Sequence, residues 1–289
     1  MRVAVTGAGG QLGAALVHEF QSGGHAVSAF AHRDLDIGDE GAVAAAMGRA
    51  QPELIVNAAA WTDVDAAEDD PMGALAVNAF GVRALARAAR AHGATLVHYS
   101  TDFVFDGTAT HPYAETDRPN PRGVYATSKL LGEWFAADAP RAYVLRVESL
   151  FGGVPGGPPA RGSVATIVDA LRRGAAPRVF IDRTVSPTFA LDAARATRQL
   201  VEQVAPAGLY HCVNSGSCTW RELAQELARQ MSVAATFTDL RFADARMRAP
   251  RPQYCALSNA KLQSLRIAMP PWPDAIARFV AAMRTCDGS

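Results

Sequence analysis

Lysine is almost missing from this chain: of 28 basic residues only Lys129 and Lys261 are lysine, and the others are arginine. Net charge is missing too, because 28 acidic residues balance the 28 basic ones. That excludes a nucleic acid or an anionic membrane held mainly by charge. No run of 18 uninterrupted apolar residues occurs, so no membrane span is expected. The four cysteines, Cys212, Cys218, Cys255 and Cys286, form no CxxC or Cys/His ligand spacing. The expectation is thiols in a reducing compartment and no metal site. The stretch Met1 to Gly7 is too short an apolar run for a signal peptide and leads at once into a glycine-rich turn, so a cytoplasmic location is expected.

What is present is enough apolar material for a large core: 49% apolar against 19% charged residues over 289 positions. That length suits one large domain, or a main domain with a smaller lobe. The first half alternates two patterns. Strands are expected at 2–6, 26–31, 53–58, 95–100 and 142–147. Helices are expected at 11–21, where Leu12, Ala15, Leu16 and Phe20 share a face, at 71–92 and at 124–138. Strict alternation of this kind implies crossover units, a parallel sheet covered on both faces, and a ligand crevice beyond the C-terminal strand ends. The fold class expected is α/β, a doubly wound, Rossmann-type parallel sheet.

Past residue 151 the pattern changes. A Gly/Pro loop fills 152–162 (GGVPGGPPARG). Helices are then expected at 163–173, 190–204, 219–230 and 273–284, with short strands at 178–181 and 209–212. The reading is a dinucleotide-binding domain over 1–150 and a smaller substrate-binding lobe over 151–289, some of whose elements return to the main domain.

Directly after the first strand comes Gly7-Ala8-Gly9-Gly10-Gln11-Leu12-Gly13. Gly7 permits a tight turn, Gly10 lets the backbone approach a pyrophosphate, and Gly13 allows close helix–strand packing. The anion then sits on the helix N-terminus. At the second strand's tip, Arg33 precedes Asp34, Asp36 and Ile37. An acid there favours NAD and a base NADP. Arg33 tilts the reading to NADPH, with NADH the alternative donor and a solvated loop residue the bland one. Asp36 and Ile37 could contact the adenine edge. Ala58, Ala59 and Ala60, after Asn57, leave room for the ribose and pyrophosphate, though alanine is ordinary core in so alanine-rich a chain.

The chemistry is concentrated later. The fourth strand ends in Ser100-Thr101-Asp102-Phe103, and downstream lies Tyr125-Ala126-Thr127-Ser128-Lys129. On a helix, Tyr125 and Lys129 share a face. A phenol with a free pKa near 10 is a poor acid at neutral pH, and an ammonium one turn away should lower it. The Thr101 hydroxyl can donate to a substrate carbonyl. Thr101, Tyr125 and Lys129 are therefore the candidate catalytic residues. They suit hydride delivery to a ketone with protonation of its oxygen, and Tyr125 and Lys129 also face the nicotinamide cofactor.

With these residues together, the chain resembles the extended short-chain dehydrogenase/reductase superfamily. More narrowly, it is similar to the dTDP-4-dehydrorhamnose reductase family. The strings are 6–13 (TGAGGQLG), 35–37 (LDI), 57–60 (NAAA), 63–68 (DVDAAE), 100–107 (STDFVFDG), 125–132 (YATSKLLG) and 251–262 (RPQYCALSNAKL). The resemblance implies NADPH-dependent reduction of the 4-keto group of a nucleotide-activated 6-deoxysugar, dTDP-4-dehydro-L-rhamnose going to dTDP-L-rhamnose. It implies Asp102 and Phe103 near the sugar, the nucleotide near Arg183, Thr184 and Pro187, and a monomer or homodimer. The family's Arg-Thr-Ser-Trp-x-x-Gly is here Arg146-Val147-Glu148-Ser149-Leu150-Phe151-Gly152. The tryptophan is gone and Glu148 brings a carboxylate toward the substrate. Two other activities share this background. A 4-epimerase would consume no cofactor, and a regulatory subunit of methionine adenosyltransferase would act by binding. A 4,6-dehydratase needs an acid–base pair after the threonine, and Phe103 follows Asp102 instead.

Overall fold

The order of the elements along the chain explains the position of the site. The computed structural model describes residues 1–287, with side chains to residue 284, so Cys286 lies outside the described side chains. The first half runs β1 (Arg2–Thr6), α1 (Gln11–Ser22), β2 (Ala26–Phe30), α2 (Glu40–Ala50), β3 (Leu54–Asn57), α3 (Val64–Asp69), α4 (Pro71–Leu75), a π-helical turn (Ala76–Phe80), α5 (Gly81–His92), β4 (Thr95–Thr101), α6 (Val124–Ala136) and β5 (Arg141–Val147). The second half runs β6 (Leu150–Phe151), α7 (Ser163–Arg172), β7 (Arg178–Phe180), β8 (Thr184–Val185), β9 (Thr188–Phe189), α8 (Ala190–Glu202), β10 (Gly208–His211), β11 (Cys218–Thr219), α9 (Trp220–Met231), β12 (Thr238–Leu240), α10 (Ala260–Ser264) and α11 (Trp272–Asp287).

Six strands form the central sheet in the order β2-β1-β3-β4-β5-β10, and every pairing is parallel. The doubly wound sheet expected from the alternation is therefore found. The direction of winding reverses between β1 and β3, which opens a crevice at their C-terminal ends. On one face, Leu12, Leu16 and Phe20 of α1 pack with Ala193 and Leu200 of α8. On the other, Met47 of α2 packs with Val82, Leu85 and Ala89 of α5. Alanine serves here because small side chains let helices lie close to one another and to the strands. A separate apolar cluster joins Ile167 and Leu171 of α7, Leu223 and Leu227 of α9, and Ile276 and Phe279 of α11. Among the described residues no helix is long and apolar enough to cross a membrane.

Two departures from the sequence pattern have physical causes. The helix expected over 71–92 is interrupted by the π-helical turn. Within that turn Asn78 is buried, and its amide accepts from the Trp61 N–H (2.9 Å) and donates to the Trp61 carbonyl (3.0 Å) and the Ser128 hydroxyl (3.0 Å). A side-chain network, invisible to periodicity, thus overrides the regular helix. Helix α2 was not anticipated, yet Asp39 caps it by accepting from the Ala42 N–H at 3.0 Å. Lys261, on α10, donates to the Leu209 carbonyl at 2.6 Å and lies over the Tyr210 ring, so it ties the C-terminal part to the sheet's edge strand β10.

Helix α6 is fastened to the sheet through one carboxylate. Glu133 accepts from Arg146 Nε and Nη2 at 2.8 and 2.7 Å and from Ser100 Oγ at 2.5 Å. All three side chains are buried. Removing one partner of such a pair strands the other's charge, at a cost of about 3–5 kcal/mol. Glu133→Ala is expected to lower unfolding stability by that amount in urea titration. A loss of less than about 1 kcal/mol, the scale of an exposed pair, would contradict the assignment.

Candidate active site

The loop after β1 turns on Gly7, at φ +72°. A Cβ on Gly7 would stand 2.5 Å from the Ala59 nitrogen, and one on Gly13 would stand 2.0 Å from the Gly7 oxygen. No side chain could be accommodated at either place, so α1 begins hard against the tips of β1 and β3. Helix α1 begins at Gly10 with no side-chain cap and no acidic residue in its first turn, as do α5, α6 and α7; what sets it apart is the glycine turn that seats it on the tips of β1 and β3. Free amides, a positive dipole end and no carboxylate fit the pyrophosphate of a dinucleotide.

The remaining candidate cofactor residues surround this point. Gln11 accepts from the Arg161 N–H at 3.2 Å, which brings the Gly/Pro loop over the helix start. Leu12 turns its side chain into the core. Asn57 accepts from Thr6 Oγ1 (2.7 Å) and the Ala59 N–H (3.0 Å), and shapes the half-buried Ala58–Ala60 turn. Arg33 is 89% exposed and its Nε pairs with Asp34 Oδ1 at 3.6 Å, so the charge expected to choose the cofactor stands at the surface beside an acid. Asp36 accepts from the Gly38 N–H at 2.9 Å, and Ile37 is buried in the core.

Thr101 ends β4, and Tyr125 and Lys129 stand one turn apart on α6. Tyr125 and Thr101 are hydrogen-bonded to each other at the C-terminal edge of the sheet, and Lys129 reaches the backbone of the same strand two residues before Thr101. Glu68 of α3 accepts from the Val124 N–H at 2.7 Å and so positions the start of α6. Phe103 lies edge-on to the Tyr125 ring, with centroids 5.5 Å apart. Burial pushes the Tyr125 phenol up to about 12, opposed by a hydrogen bond with Thr101 and reinforced by the Asp102 charge. This reverses the depression expected from Lys129. The reason is where the ammonium goes: it is buried and donates to the Tyr99 carbonyl at 2.6 Å. Burial brings Lys129 itself down to about 8, with Glu133 opposing. Nor does Thr101 simply face an open pocket, since its hydroxyl donates to Asp102 Oδ1 at 2.9 Å.

Behind Thr101 lies a cluster the sequence did not foretell. One donor atom from each of Asp102, Glu148 and Cys255 falls within 4.8 Å of the others, and all three residues are buried. Arg183 supplies the positive charge. It donates to Pro252 O at 3.1 Å and to Cys255 Sγ at 3.6 Å, and it covers the Phe103 ring at 5.8 Å. The candidate substrate residues Asp102, Phe103, Glu148 and Arg183 are thus brought together, and Thr184 adjoins them on β8. Cys255 was missed because nothing in its local sequence marks it. Cys212, Cys218 and Cys255 are free, buried thiols. On its other side Arg183 lines a cavity of about 550 Å³ that also presents Arg173, Arg178, Phe180 and Trp220. Guanidinium groups beside aromatic faces suit a phosphorylated nucleoside.

A family model described as the RmlD substrate binding domain matches residues 1–285. A dTDP-4-dehydrorhamnose reductase of Streptomyces griseus is 38% identical, covering 89% of this chain and 85% of that protein. A probable dTDP-4,6-dihydroxy-2-methyloxan-3-one 4-ketoreductase of Streptomyces antibioticus is 37% identical over 93% of this chain and 90% of its own. Among solved structures, the dTDP-4-dehydrorhamnose reductase of Bacillus anthracis in complex with NADP superposes with a TM-score of 0.89 at 30% identity, covering 96% of this chain and 98% of that one.

The enclosure of Lys129 generates a direct prediction. Arginine keeps the charge but has a wide planar head, and overpacking a closed site costs about 1–3 kcal/mol. Lys129→Arg is expected to lower the thermal midpoint as well as turnover. An unchanged midpoint with unchanged turnover would show that the site has room the structure denies it.

Proposed function

The chain belongs to the RmlD substrate binding domain family, and from that premise we infer that it is a nicotinamide-dependent sugar-nucleotide ketoreductase. The specific reaction we propose is reduction of the 4-keto group of dTDP-4-dehydro-L-rhamnose to give dTDP-L-rhamnose, with NADPH as donor. The observation that carries this reading is the meeting of Thr101, Tyr125 and Lys129 beside an uncapped helix start at the point where the sheet reverses. The NADP held by the Bacillus anthracis relative and the exposed guanidinium of Arg33 support NADPH over NADH. We propose residues 1–150 as the cofactor-binding unit and 151–289 as the substrate lobe, a division supported by the separate apolar cluster of α7, α9 and α11.

When bound, the cofactor supplies the hydride. The chain supplies the rest. Tyr125 donates its phenolic proton to the carbonyl oxygen as that oxygen gains charge. Its high proton affinity at rest keeps it protonated until then. Lys129 is the compact cation one helical turn away, fixed by the Tyr99 carbonyl. Thr101 holds the carbonyl oxygen. Arg173 and Arg178 take the diphosphate, and Phe180 and Trp220 take the base, in the adjoining cavity, while Arg183 at its edge stays with the buried carboxyls. Phe103 borders the sugar. An acidic residue in its place would be needed for the elimination step of a dehydratase.

The reading is tested by following NADPH and NADH oxidation with a panel of nucleotide 4-keto-6-deoxysugars. Expected is NADPH oxidation with the dTDP sugar; inversion of the sugar without cofactor consumption would favour the epimerase reading. Loss of a general acid costs about 10²–10⁴-fold. Tyr125→Phe should therefore lower kcat by about that factor while NADPH still quenches protein fluorescence. Wild-type turnover in this variant would remove Tyr125 from the role.

A further inference from the structure

The buried cluster behind Thr101 holds more acid than its cation can balance. Two carboxyl groups, Asp102 and Glu148, face one guanidinium, Arg183. The thiols that face the cluster, Cys255 and Cys218, are pushed up by burial and by the neighbouring carboxylates, so they contribute no counter-charge. The cluster is neutral only when one proton stays on the carboxyl pair. An uncompensated charge at this depth is costly.

The hydrogen bonds show where that proton fits. Glu148 accepts from Ser149 Oγ at 3.0 Å and from the Ser186 N–H, so each of its oxygens has a donor. Asp102 Oδ1 has the Thr101 hydroxyl, while its Oδ2 is buried with no oxygen or nitrogen donor and only the weak Cys255 thiol beside the carboxyl. The two carboxyl groups each bring an oxygen within 4.8 Å of the other, and two buried carboxyls that close resist ionising together, so one proton is held between them.

We propose that Asp102 and Glu148 share one proton, and that Glu148 is thereby a positioning residue: by keeping Asp102 uncharged it frees the Thr101 hydroxyl to donate to the substrate carbonyl and lifts a negative charge from beside the Tyr125 phenol. Two links carry this. A hydroxyl bound to a carboxylate is held about twice as strongly as one bound to a neutral oxygen, so an ionised Asp102 would keep the Thr101 proton for itself. The Asp102 charge also opposes formation of phenolate at Tyr125, the species the reaction must produce. Glu148 touches neither substrate nor cofactor in this scheme. It works through Asp102, and burial raises the proton affinity of both carboxyls above the usual carboxylate range, with Arg183 opposing.

The catalytic half of the proposal rests on the ketoreductase reading above; the shared proton does not. The first measurement therefore uses the free protein. Infrared spectroscopy at neutral pH should show the carbonyl stretch of an un-ionised carboxyl, lost in Glu148→Gln. Its absence from the wild-type protein would overturn the proposal whatever the enzyme reduces. The second measurement uses turnover. In Glu148→Gln one carboxylate remains, balanced by Arg183, and has no reason to hold a proton. Its kcat should fall about tenfold, the equivalent of one pK unit at Tyr125, with the KM for NADPH unchanged. Adding Asp102→Asn, which removes the charge by substitution, should restore most of that loss. Wild-type kcat in Glu148→Gln, or a double variant no faster than the single, would overturn the positioning role. An inactive wild-type enzyme would count against the ketoreductase reading instead, and would leave the infrared result standing.

Discussion

Glu133 connects three parts of the molecule that must keep register for the site to exist. Its carboxylate receives the Nε and Nη2 edge of the Arg146 guanidinium from β5 and the Ser100 hydroxyl from β4, all out of water. It sits one turn beyond Lys129 and two turns beyond Tyr125. A helix pinned there cannot slide or rotate on the sheet without breaking charge-assisted bonds in a low dielectric. Smaller clamps work with it. Glu68 fixes the first turn of α6, and Asn78 holds the same helix to the Trp61 loop through Ser128.

The same burial that fixes the geometry sets the chemistry. Burial pushes the Tyr125 phenol up, with the Asp102 charge adding to it, and brings Lys129 down, so both lie away from the charged pair that the proposed transfer of the Tyr125 proton would create. The resting site is thus a poor acid kept safely protonated. The charge that makes it reactive has to be supplied or withdrawn locally, by groups within a few ångströms. That places weight on Asp102, the one carboxyl that touches Thr101 and acts electrostatically on Tyr125, and on whatever governs its charge.

Much of this was legible in the sequence because it is local. The alternation of strands and helices, the glycine spacing at 7, 10 and 13, and the i to i+4 placement of Tyr125 and Lys129 are patterns among near neighbours in the chain. The π-helical turn was not legible, because Asn78 acts through residues 17 and 50 positions away. Nor was the Asp102–Glu148–Cys255–Arg183 cluster, whose members come from four separate segments. Glu148 was noticed as a departure and Arg183 as a nucleotide contact, but not that they face each other. The direction of the Tyr125 shift was misjudged for a related reason: periodicity says which side chains share a face, not how deep they lie or where an ammonium points. The scarcity of lysine acquires a plainer meaning. In a chain that otherwise uses arginine, Lys129 occupies a closed space that admits only a compact ammonium, and Lys261 rests on a tyrosine ring at the sheet edge.

The central claim, that this arrangement delivers hydride to a sugar ketone and a proton to its oxygen, is tested most directly by isotope transfer. NADPH carrying deuterium at the transferred position of the nicotinamide would be incubated with dTDP-4-dehydro-L-rhamnose, and the product examined by NMR. The account predicts deuterium at the new carbinol carbon of the sugar, in one configuration and in proportion to NADPH oxidised. Sugar converted without label and with the cofactor unspent would contradict it.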